Sequence, residues 1–321
     1  MKNKPIILIN GEPNSVFLEI FFKCLKYKKY KSPLILISSL ELLKIHMKKC
    51  KFKKKIQLVR YKDINKLKLN NKCINLIDVQ LKSIKNLKNI TNKSNSFIKN
   101  SFEIAQKIIK LGFTQKLING PISKTSFLNK RYLGITEFLA KRTNTKKFAM
   151  LIYNKNLAVC PITTHLPIKN VSKSITKNII SEKISLINEF YKKLKKTKPR
   201  IAVLGLNPHC ESVDKFNEDE KIIAPIIKHL KKIGYNIKGP YPADTIFLKN
   251  NRKKFDVIVG MYHDQVLTPI KTLFEYDAIN ITLGLPFKRI SPDHGPNEKM
   301  LGKNSSNPLS LIRAIEFLDK N

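Results

Sequence analysis

Along this chain, short apolar runs alternate with longer stretches in which apolar residues recur every three or four positions. The runs PIILIN (5–10), PLILIS (33–38), IQLVR (56–60), INLID (74–78), KLING (116–120), FAMLIY (148–153), LAVCPI (157–162), RIAVLG (200–205), FDVIVG (255–260) and AINITL (278–283) have the length and β-branched content of buried strands. The stretches 15–27, 96–112, 172–196, 218–234 and 309–320 carry the period of amphipathic helices, and Gly112 and Gly234 stand where helices stop. Strands alternating with helices predict a largely parallel α/β sheet. No internal repeat is visible, and low complexity is confined to Lys/Asn-rich linkers such as 82–95.

In such sheets, chemistry collects beyond the carboxyl ends of the strands. LAVCPI runs into Thr163-Thr164-His165, RIAVLG into Leu206-Asn207-Pro208-His209, and FDVIVG into Met261-Tyr262-His263-Asp264-Gln265. Three of the six histidines therefore follow three strand ends. A single histidine there is ordinarily a satisfied loop residue. Three in equivalent positions suit a divalent-metal site with one open coordination position, and on the residues alone this stands level with a coincidence of loops. Hydrolysis by a metal-bound water then competes with metal-assisted alcohol oxidation. His46 and His229 lie in Lys-rich helices and read as solvated.

A chain of 321 residues accommodates two domains of ordinary size. No apolar run approaches the roughly 18 residues of a membrane span, so no membrane partner is expected. The opening MKNKPIILING passes directly into Gly11-Glu12-Pro13, as a first strand and turn would, and points to the cytoplasm rather than secretion. Cys24, Cys50, Cys73, Cys160 and Cys210 are scattered, against a disulfide framework or a cysteine zinc site. Cys210, beside His209, reads as a soft ligand, a nucleophile or a small filler.

The formal charge of +39 invites a nucleic-acid reading. Against it, only seven of the 62 basic residues are Arg, the residue that base readout leans on. The lysines are spread out, KKCKFKKK (48–55) being the one dense run, and the wealth of Asn and Ile matches codons rich in A and T. No nucleic-acid partner is expected; the positive field suits a small anionic substrate.

The segments NGPISK (119–124), GITE (134–137), TTHLP (163–167), GLNPH (205–209), GPYPADT (239–245), YHDQVLTPIKT (262–272), NITLGLP (280–286) and RISPDHG (289–295) follow one another in an order that resembles the 4-hydroxythreonine-4-phosphate dehydrogenases of vitamin B6 (pyridoxine) synthesis. The likeness runs from about residue 119 onward, and the first 100 residues match only in outline. It implies an isocitrate/isopropylmalate dehydrogenase-like fold of two α/β/α domains. One would hold residues 1–120 plus 268–321 with the cofactor segment; the other, 121–267, would hold the histidines. The active site would lie in the cleft and be completed by the partner subunit of a homodimer.

The same resemblance implies one divalent metal (zinc, magnesium, cobalt or manganese) on His165, His209 and His263, and substrate contacts from Thr136, Lys271, Asn280 and Arg289. Asp244 and Asp264 join Lys271 as candidates for proton handling, and Asp244 reads equally as a helix N-cap before TIFLKN. Asp293, His294, Gly295, Lys299 and Gly302 fall on the segment that wraps the adenosine of NAD or NADP in the wider fold. The implied reaction oxidises 4-phosphooxy-L-threonine to 2-amino-3-oxo-4-(phosphooxy)butanoate, which decarboxylates to 3-amino-2-oxopropyl phosphate.

Three departures from the family pattern matter. GEPNSVFLE (11–19) stands where the family has a loop of the type GDPAGIGPE. Ile135 replaces the histidine of GHTE, which keeps open a four-carbon sugar-acid phosphate, erythronate or threonate 4-phosphate, as substrate. Lys299 stands where NAD-preferring relatives in the wider fold carry Asp and NADP-preferring ones carry Lys. A basic nucleic-acid-binding protein with a vestigial site is opposed by the intact His165, His209, His263, Lys271 and Arg289.

Overall fold

The computed structural model describes every residue except 1–2, 82–92, 124–126, 129–131, 133, 214–215, 294, 296 and 321. Its strands are β1 (Ile6–Ile9), β2 (Leu34–Ser38), β3 (Ile56–Leu58), β4 (Ile74–Asp78), β5 (Lys116–Asn119), β6 (Ala149–Tyr153), β7 (Ala158–Pro161), β8 (Ile201–Leu204), β9 (Ile237–Tyr241), β10 (Val257–Gly260), β11 (Ile279–Leu283) and β12 (Lys288–Pro292). Two compact units form: Met1–Ile135 with Pro286–Asn321, and Thr136–Leu285. The cuts expected at 120/121 and 267/268 come earlier in the chain than these. β11 pairs antiparallel with β6 over its whole length, which carries the chain as far as Leu285 into the second unit.

In the first unit the strand order is β3-β4-β2-β1-β5-β12, all parallel. β1 and β2 are buried at every position, the continuous apolar pattern of parallel strands covered on both faces. Helix Phe17–Tyr27 buries Phe17, Leu18, Ile20, Phe21 and Phe22, and meets the helices Leu40–Lys49 and Leu309–Lys320. Each such side chain contributes about 1.5–3 kcal/mol on burial. The C-terminal helix Leu309–Lys320 joins by its own apolar stripe. Its Asp319 accepts the backbone N–H groups of Lys31 and Ser32 at 3.0 and 2.6 Å, which ties residues far apart in sequence.

The second unit has the order β11-β6-β7-β10-β8-β9. β6 runs antiparallel to β11 and β7, while β7, β10, β8 and β9 are mutually parallel. β10 is last of the parallel four in sequence yet lies between β7 and β8. Helix His263–Phe274 packs back on this sheet through Val266, Leu267 and Ile270, in a core shared with Val159, Leu204 and Ile258. Gly260 makes the close approach possible, since a Cβ there would lie 2.5 Å from Val266 Cγ1.

All ten expected strands are present, and two more, β9 and β12, form where the sequence pattern is weak. β9 (IKGPY) buries only Ile237 and lies at a sheet edge, where Gly and Pro are tolerated. β12 (KRISP) begins with two cations, and its Arg289 is nonetheless fully buried. Among the described residues no helix is long and apolar enough to cross a membrane.

His229 is exposed as expected, but His46 is not solvated: it is 5% exposed on helix Leu40–Lys49. Burial above all, then the neighbouring Lys49 charge, pushes its pKa down to about 4, with Glu19 opposing. The folded state thus holds the imidazole neutral. Its contribution, about 3 kcal/mol, is complete above the ordinary pKa near 6.5 and is lost as pH falls from there toward 4. Urea unfolding of His46→Leu should show a shallower loss of stability than wild type across that window; equal slopes would contradict the assignment.

Candidate active site

The three histidine-bearing loops leave β7, β8 and β10 at the same edge of the second unit's sheet, because β10 is parallel to both neighbours. Backbone bonds then lock the β7 and β10 ends together. Ile162 donates to the Gly260 carbonyl at 2.8 Å, and the Thr163 N–H and hydroxyl both reach the Met261 carbonyl.

His165 and His263 come together, with ring centroids 5.4 Å apart. Two imidazoles sharing one tetrahedral ion, each nitrogen ~2.0–2.1 Å from it, would hold their ring centres about 5 Å apart, so this pair fits a divalent metal. Asp264 Oδ1 lies 2.6 Å from His263 Nδ1, which leaves Nε2 as the outward nitrogen. The Asp264 side chain itself is largely exposed.

His209 is exposed in the turn Pro208–Cys210 and is not gathered with the other two. Among the described residues, no group of three His, Cys, Asp or Glu side chains is close enough to hold a metal. His165, His209 and Cys210 nevertheless share one uncommon feature, φ of 48°, 55° and 64°. Such left-handed backbone at a non-glycine residue costs on the order of 1–3 kcal/mol and persists only where the surroundings fix it.

Asp244 lies exposed in the short helix Ala243–Ile246, whose N-cap position is occupied by Pro242, so it does not cap that helix. Its charge does reach the His209 turn. Burial, then Asp219, Asp244 and Glu211, push the Cys210 thiol up, with a backbone bond from Gly205 opposing.

Thr136 is buried at the start of helix Ile135–Arg142, 3.4 Å from the Thr282 hydroxyl of β11. Ile135 is half-buried beside it. Asn280 lies on the same face of β11 as Thr282, and its buried Oδ1 has no hydrogen-bond partner. Lys271 is half-buried two helical turns beyond His263, on the His263–Leu267–Lys271 stripe.

The remaining candidates belong to the first unit. Arg289 on β12 is fully enclosed, and its Nε donates to Asn119 Oδ1 of the NGPIS segment at 2.7 Å. The altered first loop packs on that segment too: Glu12 is completely buried, and its carboxylate accepts the Ser123 N–H at 3.2 Å. Asp293 is half-buried, and its N–H donates to the Ser310 hydroxyl. Gly295 and Gly302 have open space where a Cβ would stand, and Lys299 is exposed between them in sequence. His294 and Lys124 lie outside the described residues.

Sequence reasoning missed several polar residues at the site. Gln265, which the motif carried without a role, is buried with both ends of its amide engaged. Asp219 and Glu218 are buried beside the His209 loop, and Glu137 accepts the Thr164 hydroxyl at 3.0 Å, one residue before His165. As letters in an amphipathic pattern, all four are indistinguishable from solvated helix positions.

Residues 29–318 match the profile of the family described as pyridoxal phosphate biosynthetic protein PdxA. The chain belongs to the PdxA family. The chain is 46% identical over 205 residues to a 4-hydroxythreonine-4-phosphate dehydrogenase of Sulfurihydrogenibium sp., a match covering 63% of each chain, so it spans just under two thirds of that relative. It is 34% identical to a D-threonate 4-phosphate dehydrogenase of Pectobacterium atrosepticum over 66% of each chain. Among solved structures, the 4-hydroxythreonine-4-phosphate dehydrogenase of Klebsiella pneumoniae superposes with a TM-score of 0.82 at 27% identity, covering 98% of both chains. PdxA relatives thus carry two substrate names, and the α/β fold that the motifs imply is the fold they share.

Proposed function

We propose that this PdxA-family chain is a nicotinamide-dependent dehydrogenase of a small phosphorylated 3-hydroxy acid, with 4-phosphooxy-L-threonine as the substrate. The paired imidazoles of His165 and His263 carry this reading, because they are spaced for one shared divalent ion. When bound, the ion would supply a Lewis acid for the substrate hydroxyl and the nicotinamide of NAD or NADP a hydride acceptor.

The chain's own residues supply the rest. His165 and His263 would hold the ion, His209 would join them as third ligand, and Asp264 would fix the tautomer of His263. Thr136 and Asn280 bind the polar groups of the substrate, the bare Asn280 Oδ1 accepting a hydrogen bond from an amino or hydroxyl group. Lys271 and Arg289 bind the phosphate and carboxylate, the latter by a guanidinium already oriented by Asn119. Asp244 takes the hydroxyl proton. Oxidation of C3 gives a 3-oxo acid, which loses its carboxylate as carbon dioxide to leave 3-amino-2-oxopropyl phosphate for pyridoxine 5′-phosphate synthesis. The five free cysteines fit a reducing cytoplasm, and a homodimer follows from the family resemblance alone.

Threonate or erythronate 4-phosphate is the second reading, favoured by one observation. Ile135 offers no hydrogen bond where the family has a histidine, and a relative named for D-threonate 4-phosphate is 34% identical.

Cofactor reduction by the purified protein should be seen with 4-phosphooxy-L-threonine, be abolished by exhaustive chelation and return with divalent metal. His165→Ala and His263→Ala should each lose it while staying folded, and activity that survives chelation would exclude the metal role. If the amino acid is the substrate, Ile135→His should lower KM about tenfold, since a hydrogen bond to a charged group contributes roughly 1.5–3 kcal/mol; an unchanged KM would favour the sugar acids. Exposed Lys299 is proposed to pair with the 2′-phosphate of NADP. Lys299→Asp should therefore reduce kcat/KM with NADP relative to NAD, and an unchanged ratio would make Lys299 another surface lysine.

A further inference from the structure

Among the described residues His209 is not gathered into a three-ligand group with the other two histidines, yet the backbone leading to it is braced by several buried side chains. Buried Asp219 accepts three hydrogen bonds from the second and third residues after β8: the Leu206 N–H at 2.8 Å, the Asn207 N–H at 3.1 Å and the Asn207 side-chain amide at 3.0 Å. Its neighbour Glu218 accepts the same Asn207 amide at 3.1 Å and, through its other oxygen, the hydroxyl of Ser172 on the segment that follows His165. Burial raises the Glu218 carboxyl, but the bonds from Ser172, its own backbone and Asn207 outweigh it and hold the group below the usual range.

A third brace comes from the YHDQ segment. Gln265 accepts the Met261 N–H at 2.7 Å and donates to the Gly205 carbonyl at 2.8 Å, so one side chain links the ends of β10 and β8. Gly205 has no room for a side chain: a Cβ would lie 2.5 Å from Asp219 Oδ1 and 2.7 Å from Cys210 Sγ.

Helix capping does not explain these acids. The N–H of Asp219 is already capped by Asn217 Oδ1 at 2.9 Å, and both carboxylates turn toward the loop instead. Among the described residues, the side chains of Asp219, Glu218 and Gln265 reach Leu206, Asn207, Ser172, Met261 and Gly205, in the segments that carry the three histidines.

We infer that Asp219, Glu218 and Gln265 are positioning residues that preset the left-handed His209–Cys210 turn, so that His209 completes the ligand set when a divalent ion binds. The inference rests on the metal reading above. It assigns the three side chains to metal affinity rather than to stability, and a buried network of fully engaged polar groups is suited to fixing one loop geometry.

The test is cobalt(II) binding to metal-free protein, followed by calorimetry and by the visible absorption of the bound ion, with unfolding by urea measured alongside. Asp219→Asn and Gln265→Glu keep shape but each replaces one group of a hydrogen-bonded pair, and both should weaken cobalt binding tenfold or more and alter its spectrum. Asn75→Ala removes a buried amide that braces β2 and β4 in the first unit, and it should lose stability with cobalt affinity unchanged. If the two brace variants lose stability but bind cobalt within twofold of wild type, their role is structural and the inference is overturned. If Asp219→Asn does not fold, Gln265→Glu decides alone by the same criterion. Wild-type cobalt binding in His209→Ala and His263→Ala would instead bring down the metal reading, and the inference with it.

Discussion

The candidate site depends on one constraint, the parallel pairing of β7, β10 and β8. Because the registers Val257↔Ala158 and Val257↔Ile201 set the three strands level, their carboxyl ends stop together and their loops emerge side by side. A residue's slip in either pairing would bring side chains of different size to each packed position on both buried faces. Those positions, including Val159, Val203, Ile258 and Val259, are fully buried, so the apolar core fixes the register. The polar chemistry at the sheet edge is positioned by a hydrophobic decision made beneath it.

Charge is distributed with similar economy. The chain has only 23 acidic residues against 62 basic ones, and yet Glu12, Glu19, Glu218 and Asp219 are withdrawn from solvent. A buried carboxylate is tolerated only with donors around it, and each of these has them. Glu12 holds Ser123; Glu19 holds Lys23 and the Ser306 N–H; Glu218 and Asp219 hold the loop after β8. In a protein of such positive field, scarce anions inside the fold act as fasteners between loops, while the lysines outside leave the site attractive to anions.

Much of this was legible in the letters. Strands such as IILI and VIVG announce themselves, because burial on both faces demands continuous β-branched and aliphatic runs. The histidines after LAVCPI, RIAVLG and FDVIVG were legible for the same reason, since a strand's end can be counted. β9 and β12 were not, since an edge strand needs few apolar residues and Arg289 hides a strand position behind a charge. Buried acids were equally silent: Asp219 sits at the start of a helix, where solvated acids are common, and only the fold shows which way its carboxylate turns. His46 read as solvated because its neighbours in sequence are lysines, whereas its neighbours in space are not solvent.

The interrupted first unit bears on how the chain is made. The second unit is continuous, residues 136–285, and all six of its strands exist once the ribosome has passed Leu283. The first unit is split, and β5 waits for β12, a partner encoded some 170 positions later. Closing so long a loop is an entropic burden borne before any native contact rewards it. A folded second unit in between shortens that search by gathering the intervening chain into one compact body. Until β12 is synthesised, β5 lacks one strand partner, and Asn119 at its end has no Arg289 to accept from. A nascent chain would then hold the paired histidines in place before the buried Arg289 exists.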